Sequence, residues 1–167
     1  MIFVITGMEV HPFDRLLQKI DELVSSGQLT DEVFVQRGHT PYEPKHVPFE
    51  NFLSFGEVCE RIEGADVVIT HAGAGSTLTC LQCKKRPISI PRLPQFGEHV
   101  DDHQLPFSQK LHDFGLVRQV LEMDDLLEAI HELKGQGEFV REGESAASGI
   151  VNFLDGFWDE TAKRKKS

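Results

Sequence analysis

The sequence has few of the features that mark secreted or membrane-spanning proteins. It has three cysteines in 167 residues, too few for the disulfide framework of a small secreted domain, so we expect reduced thiols in a cytoplasmic protein. No run approaches the roughly 20 apolar residues that a membrane-spanning helix needs. The short apolar start at 1–6 lacks a basic flank, which predicts a strand there and not a signal peptide. No motif repeats at a fixed period, which argues against a solenoid.

Positive charge is also scarce. Lysine and arginine number 17 against 27 aspartates and glutamates, which gives a net charge of −10. Such an acidic surface repels phosphate backbones, so no nucleic-acid partner is expected. The length and the 40% hydrophobic content predict one soluble globular domain with a single core. We place this domain at residues 1–160 and a basic tail at 161–167.

Short apolar runs alternate with amphipathic stretches along the chain. The runs predict strands at 2–6, 32–36, 66–70, 87–90 and 116–119, with a further short strand at 52–55. The amphipathic stretches predict helices at 13–24, 57–63, 76–84, 101–114, 123–134 and 145–158. This alternation is typical of an open, mainly parallel α/β sheet with helices on both faces. Such sheets bind ligands beyond the carboxyl ends of their strands.

The most informative stretch is a glycine-rich turn at 70–77, between a predicted strand and a predicted helix. Its two glycines allow the backbone to approach a ligand closely, and Ser76 and Thr77 are expected to cap the helix. The helix start then offers N–H groups to an anion, and His71 is placed to donate a hydrogen bond to a phosphate oxygen. The alternative is a tight turn with a structural role alone.

Other nucleotide-binding motifs fit this turn less well. A dinucleotide-binding fingerprint requires a third glycine where this chain has Leu78, and an acid at the end of the next strand, for which no residue is found. A P-loop requires the tripeptide Gly-Lys-Ser/Thr, which does not occur. These departures count against an NAD-linked oxidoreductase, while a regulatory module that binds a nucleotide without catalysis stays an alternative.

A second polar cluster follows the next predicted strand. A proline-bounded loop at 91–100 leads into a helix whose start carries Asp102 and Gln104. Because parallel strands end at one edge of their sheet, this cluster is expected to lie beside the glycine turn. An aspartate and a glutamine together accept and donate hydrogen bonds, as the hydroxyl groups of a sugar require.

The two clusters together resemble the C-terminal domain of family 28 glycosyltransferases, which have the GT-B fold. The resemblance rests on His-x-Gly-x-Gly-Ser from His71, on Pro91-Arg92, and on Glu-His-x-x-Asp-His-Gln from Glu98. It extends from Met1 to about Leu133. In particular, the chain resembles small donor-binding subunits of two-component transferases of bacterial exopolysaccharide and capsule synthesis. It also resembles the catalytic subunit of the eukaryotic dolichol-linked chitobiose N-acetylglucosaminyltransferase.

The resemblance implies a UDP-sugar donor and no metal or other cofactor, because a helix dipole neutralises the departing diphosphate in this family. Within the family pattern, the residues around the diphosphate are His71, Gly73, Gly75, Ser76 and Thr77. Those at the sugar are Asp102 and Gln104, with Glu98 and His99 shaping that wall. Thr79 stands where related transferases often carry an acid that binds the ribose, which leaves ribose binding unassigned.

The resemblance also implies that the chain is half of an enzyme. A GT-B enzyme has two Rossmann-like domains with the active site between them, and this chain has the length of one. The acceptor site and the general base are therefore expected on a small membrane-anchored partner subunit. The implied assembly is a heterodimer at the cytoplasmic face of a membrane, transferring a hexose to a lipid-linked acceptor with inversion. No catalytic residue is assigned in this chain. Glu9 and His11 follow the first strand, and we interpret them as solvated loop residues, with a position facing the cleft as the alternative.

Two further patterns in the sequence do not predict a redox or metal site. Cys80 and Cys83 form a Cys-x-x-Cys motif inside a predicted helix, whereas redox motifs place the first cysteine at a helix start. His99 and His103 have a spacing suited to a metal pair, but no third ligand is evident nearby.

Overall fold

A computed structural model describes residues 1–100 and 103–139 of the chain. Within these residues, six strands form one parallel sheet. The strands are β1 (Ile2–Ile5), β2 (Val33–Gln36), β3 (Phe49–Glu50), β4 (Val67–His71), β5 (Ile88–Ile90) and β6 (Arg118–Gln119). The α-helices are α1 (Asp14–Ser25), α2 (Phe55–Gly64), α3 (Ala74–Gln82), α4 (Gln104–Asp113) and α5 (Leu126–Leu133). Short 3₁₀ turns occupy Pro94–Phe96 and Met123–Asp125.

The strand order β3-β2-β1-β4-β5-β6 confirms the predicted Rossmann-like α/β sheet. The chain builds outward from β1 in one direction, and then returns to place β4 against the other side of β1. Ile2 pairs with Val67 in this central pair. The order therefore reverses between β1 and β4, and at such a switch point the loops after the two strands diverge and leave a crevice.

Helices cover both faces of the sheet. On one face, alternate side chains of β1 pack with α1 and α5 in a cluster that includes Ile2, Val4, Leu17, Ile20 and Ile130. On the other face, the intervening side chains pack with α2 and α3 in a cluster that includes Phe3, Ile5, Ile62, Val68 and Cys80. Every residue of β1 and β4 is buried. This two-sided burial explains why β1 and the first three residues of β4 are apolar without polar alternation.

The structure differs from the sequence prediction at the short third strand. The strand predicted at 52–55 is wrong, because β3 is Phe49–Glu50 and Phe55 already begins α2. Ser54 caps this helix in a reciprocal capping box with Glu57. That box favours a helix start directly after residue 54. The predicted helix at 145–158, the end of the predicted domain at residue 160 and the tail at 161–167 lie outside the described residues.

A buried aspartate fixes the proline-rich loop that precedes β3. Asp21, on α1, accepts hydrogen bonds from the Tyr42 hydroxyl at 2.8 Å and from the backbone N–H groups of Lys45 and His46. Burial acts to raise the pKa of this carboxyl, but the backbone hydrogen bonds from Lys45 and His46 outweigh it and hold the pKa below its ordinary value. The charged form of Asp21 therefore stabilises the fold.

We predict that Asp21→Asn lowers the free energy of unfolding at pH 7 by about 1–3 kcal/mol, because three donors lose a charged acceptor. A depressed carboxyl pKa stabilises the fold above the pKa of the unfolded chain, near 3.8, and this contribution fades as pH falls below that value. The difference between wild type and variant should therefore shrink towards pH 3 in urea unfolding. Asp125→Asn, at an exposed aspartate that makes no capping hydrogen bond, should show no such difference at either pH.

Candidate functional site

The crevice at the switch point lies between the loop after β1 and the turn after β4, with the loop after β5 beside it. Gly7 is the contact point of the first two, since a Cβ atom at this position would lie 2.4 Å from the His71 ring. Gly73 approaches the same ring, and a Cβ atom there would lie 2.2 Å from Nε2. The imidazole thus packs against two glycines, and neither position has room for a side chain.

His71 is almost wholly buried, with 5% of its surface exposed. Burial, together with the nearby charges of Arg92 and His99, lowers the pKa of His71 to about 3. Its ring is therefore neutral at physiological pH. Nδ1 has no hydrogen-bond partner among the described residues. The structure thus places this residue at the glycine turn as a neutral hydrogen-bonding group and not as a cation.

The helix after the glycine turn begins at Ala74, two residues earlier than predicted. Gly73 is the N-cap of α3, and no side chain caps the helix. The expectation that Ser76 and Thr77 cap it is wrong, because both already lie in its first turn. The Thr77 hydroxyl instead donates to the Gly73 carbonyl at 2.9 Å. The N–H groups at the start of α3 precede the first intrahelical donors, which leaves them available to an anion.

Gly75 occupies the second position of α3 and is exposed. A Cβ atom there would meet no protein atom within 4 Å. Packing within the described residues therefore gives no reason for a glycine at this position, in contrast to Gly73. Close approach of a ligand to the backbone is a physical reason that remains.

Arg92 is the site residue whose role sequence reasoning missed, although it belongs to the Pro-Arg motif. Its side chain is 1% exposed and is the largest fully buried side chain of the described residues. It donates to the Thr6 carbonyl at 2.6 Å and to the Glu9 carboxylate at 3.0 Å. Its backbone N–H donates to Gln104 Oε1 at 3.0 Å. One residue therefore joins the loop after β1, the loop after β5 and the start of α4.

Glu98 is buried and does not face an open pocket. Arg15 of α1 donates two hydrogen bonds to its carboxylate, at 2.9 and 3.0 Å, and the Leu93 N–H donates a third at 3.1 Å. Its charge is used to fix the loop after β5 against α1. Arg15 and Glu98 are 83 residues apart, and nothing in a single sequence indicates that they pair.

Glu9 and His99 meet at the crevice. The two contacts of Glu9 are both made by Oε2, with Arg92 Nη1 at 3.0 Å and with His99 Nε2 at 3.3 Å. The His11 ring lies 5.2 Å from the His99 ring. Glu9 is 45% exposed, as expected of a solvated loop residue, and both side chains also contact the predicted sugar wall through His99. An acid after a buried strand was the available signal.

The other predicted residues of the sugar and ribose sites are Gln104, Asp102 and Thr79. Gln104 is buried, and its side-chain oxygen Oε1 accepts a hydrogen bond from the Arg92 backbone N–H. Its side-chain nitrogen is therefore the group that can donate to a ligand. Asp102 lies outside the described residues, so its place at the sugar stays a prediction. The Thr79 hydroxyl donates to the Gly75 carbonyl at 3.0 Å, one turn back along α3.

The Cys80–Cys83 motif lies at the end of α3, and the His99–His103 pair lies at the loop before α4. Cys80 lies within α3 and not at a helix start, and burial raises the pKa of its thiol. His103 immediately precedes α4. Among residues 1–100 and 103–139, no group of three histidine, cysteine or acidic side chains is arranged to hold a metal ion.

The family model of the glycosyltransferase family 28 C-terminal domain matches residues 1–156. The chain belongs to this family. No curated protein sequence matches it significantly. The part of the chain that the structure describes contains no helix long and apolar enough to cross a membrane.

Two solved glycosyltransferases are similar in fold. The glycotransferase of kitacinnamycin matches with a TM-score of 0.59 and 18% identity over 81% of this chain and 35% of its own. The calicheamicin glycosyltransferase CalG4 matches with a TM-score of 0.59 and 15% identity over 81% of this chain and 34% of its own. The family 28 chain therefore spans about a third of the length of these proteins.

The buried neutral His71 predicts a specific acid sensitivity. The unfolded chain binds a proton at this side chain near pH 6.5, whereas the folded chain does so only near pH 3. Between these values the unfolded state binds more protons, so stability falls as pH falls, by about 2 kcal/mol between pH 7 and pH 5 from this residue. His71→Asn should flatten this part of the stability curve, measured by urea unfolding. His131→Asn, at an exposed histidine of α5, should keep the wild-type slope.

Proposed function

We propose that this chain is the UDP-sugar-binding subunit of a two-component glycosyltransferase that acts on a lipid-linked acceptor in polysaccharide or glycolipid synthesis. The observation that carries the proposal is the start of α3, where N–H groups precede the first intrahelical donors and Gly75 leaves open space above the backbone. This start lies at the switch point of the sheet, beside a neutral His71. Family membership supplies the sugar-nucleotide chemistry.

In the proposed reaction, an acceptor hydroxyl attacks the anomeric carbon while the bond from that carbon to the diphosphate oxygen breaks. The electron pair of this bond goes to the leaving UDP, and the proton of the hydroxyl goes to a base on the partner subunit. Attack opposite the leaving group inverts the anomeric carbon. The N–H groups and dipole of α3 stabilise the charge that develops on the diphosphate without a bound metal, because they are oriented before the reaction begins.

The proposed donor site uses backbone more than cationic side chains. Arg92 and Arg15, the arginines whose contacts build the site, are each paired with a glutamate. A ring-neutral His71 adds a hydrogen bond and no charge. The diphosphate is therefore proposed to bind at the turn through the N–H groups of Gly75 and Ser76, because the Thr77 N–H already donates to the Gly73 carbonyl. The sugar is proposed to contact Gln104, Asp102 and His99.

The exposed apolar side chains at the carboxyl edge support a partner subunit. Met8, Val10 and Val100 are 74–78% exposed, and the contact between Glu9 and His99 brings their two loops together. Large apolar side chains grouped in this way are typical of protein interfaces. We propose that a membrane-anchored acceptor-binding subunit covers them, which places this chain at the cytoplasmic face of a membrane.

The donor site is tested by Gly75→Ala. The methyl group occupies the open space above the backbone, so UDP and UDP-sugars should bind at least about tenfold more weakly, a loss of about 1.4 kcal/mol. The fold itself should be unaffected or stabilised by up to about 1 kcal/mol, because alanine favours a helix over glycine. Calorimetry with UDP, UDP-sugars, GDP-mannose and NADH, each with EDTA, measures both specificity and independence from metal.

Gly56→Ala is the matched control. Gly56 is also the second residue of its helix, and a Cβ atom there would also meet nothing within 4 Å. This variant should bind UDP as wild type does. Equal binding of UDP by Gly75→Ala and wild type would contradict the placement of the diphosphate at α3. Binding of NADH but no uridine nucleotide would contradict the transferase.

The partner is tested by transfer of labelled sugar. The purified chain, added to membranes of its own cells with a labelled UDP-sugar, should move label into the lipid extract, which neither component does alone. Met8→Ser combined with Val10→Ser should abolish this transfer, because the covered surface loses apolar area, while UDP binding persists. Phe114→Ser, at an exposed side chain where α4 ends at the opposite edge, should not reduce transfer. Full transfer by the double variant would contradict this interface.

A further inference from the structure

We propose that Glu9 makes the donor site selective for a neutral sugar over a uronic acid. This inference rests on the proposed function and names the donor class that the site accepts. It concerns the loop after β1, which carries no residue of the predicted donor-binding set.

The position of Glu9 follows from the sheet order. The loop that carries it leaves the carboxyl end of β1, and the glycine turn leaves the carboxyl end of the adjacent β4. Gly7 lies against the His71 ring, so the two loops meet at the crevice that the strand order predicts. A sugar joined to a diphosphate at α3 must lie within a few ångströms of this crevice, next to the loop after β5.

Glu9 is fixed in place by two groups on that same loop after β5. Arg92 Nη1 and His99 Nε2 approach one carboxylate oxygen, Oε2, at 3.0 and 3.3 Å. The other oxygen, Oε1, has no partner among the described residues, and the side chain is 45% exposed. A carboxylate oxygen is an acceptor alone. Oε1 is therefore available to accept a hydrogen bond from a sugar hydroxyl.

The charges around Glu9 oppose a second carboxylate. Arg92 is already paired with Glu9, and Arg15 is already paired with Glu98. Neither arginine offers an uncompensated charge to a uronate. The carboxylate of a UDP-uronic acid would approach Glu9 as a like charge and would accept no hydrogen bond from it. A neutral hexose or N-acetylhexosamine presents hydroxyl donors in the same place.

The test compares UDP-glucose with UDP-glucuronate, which differ at one carbon, and uses UDP as the reference ligand. In wild type, UDP-glucuronate should bind about tenfold more weakly than UDP-glucose by calorimetry, as expected for a partly screened like-charge contact. In Glu9→Gln this ratio should fall at least about threefold, because the variant removes the like charge. Glu60→Gln, which removes the same charge at an exposed position of α2, should keep the wild-type ratio.

A second measurement does not depend on the variant folding well. The wild-type ratio should shrink as salt is raised from about 50 mM to about 500 mM, because an exposed like-charge contact is screened. If UDP binds and wild type prefers or equally accepts UDP-glucuronate, the selectivity of Glu9 is disproved. The same holds if Glu9→Gln and Glu60→Gln change the ratio alike. If UDP itself fails to bind, the donor-binding function is disproved instead.

Discussion

The geometry of the candidate site depends on the buried guanidinium of Arg92. A charge that is 1% exposed is tolerable only with partners, because the penalty for removing it from water is several kcal/mol. Its partners are the Thr6 carbonyl and the Glu9 carboxylate, while its backbone N–H holds Gln104. The need to satisfy one buried cation therefore sets the relative positions of three chain segments. Arg15 and Glu98 form a second arginine–glutamate pair, which fixes the loop after β5 against α1.

Among the described residues, this arrangement lines the crevice with oriented dipoles and with arginines that are paired with glutamates. The His71 ring, packed against Gly7 and Gly73, stays uncharged. A diphosphate at the switch point would therefore meet backbone N–H groups that the helix has already aligned. Such groups need no reorganisation when charge develops on a leaving group.

Much of the fold was predictable because its signals are local. The apolar runs of β1 and β4 are buried on both faces, and the turns between elements carry glycine or proline. The two-residue β3 was misplaced, because so short a strand has no periodicity of its own. The glycine turn was found, but its capping by Ser76 and Thr77 was not correct, since Gly73 begins the helix without a side-chain cap. The pairs Arg15–Glu98 and Arg92–Glu9 each span 83 residues, and only the folded chain brings them together.

The faces of the sheet and its carboxyl edge differ in how completely the described residues cover the side chains there. The faces of the sheet are closed by α1 and α5 on one side and by α2 and α3 on the other. The carboxyl edge instead presents exposed Met8 and Val10, a bare Gly75 and a half-exposed Glu9. Packing within the described residues gives no reason for any of these, and each is what a ligand or a second protein would complete. Because Glu9 lies between the two exposed apolar side chains of its loop, the segment that is proposed to read the sugar is also the segment that is proposed to meet the partner. Selection of the donor and docking of the acceptor subunit would then share one short loop.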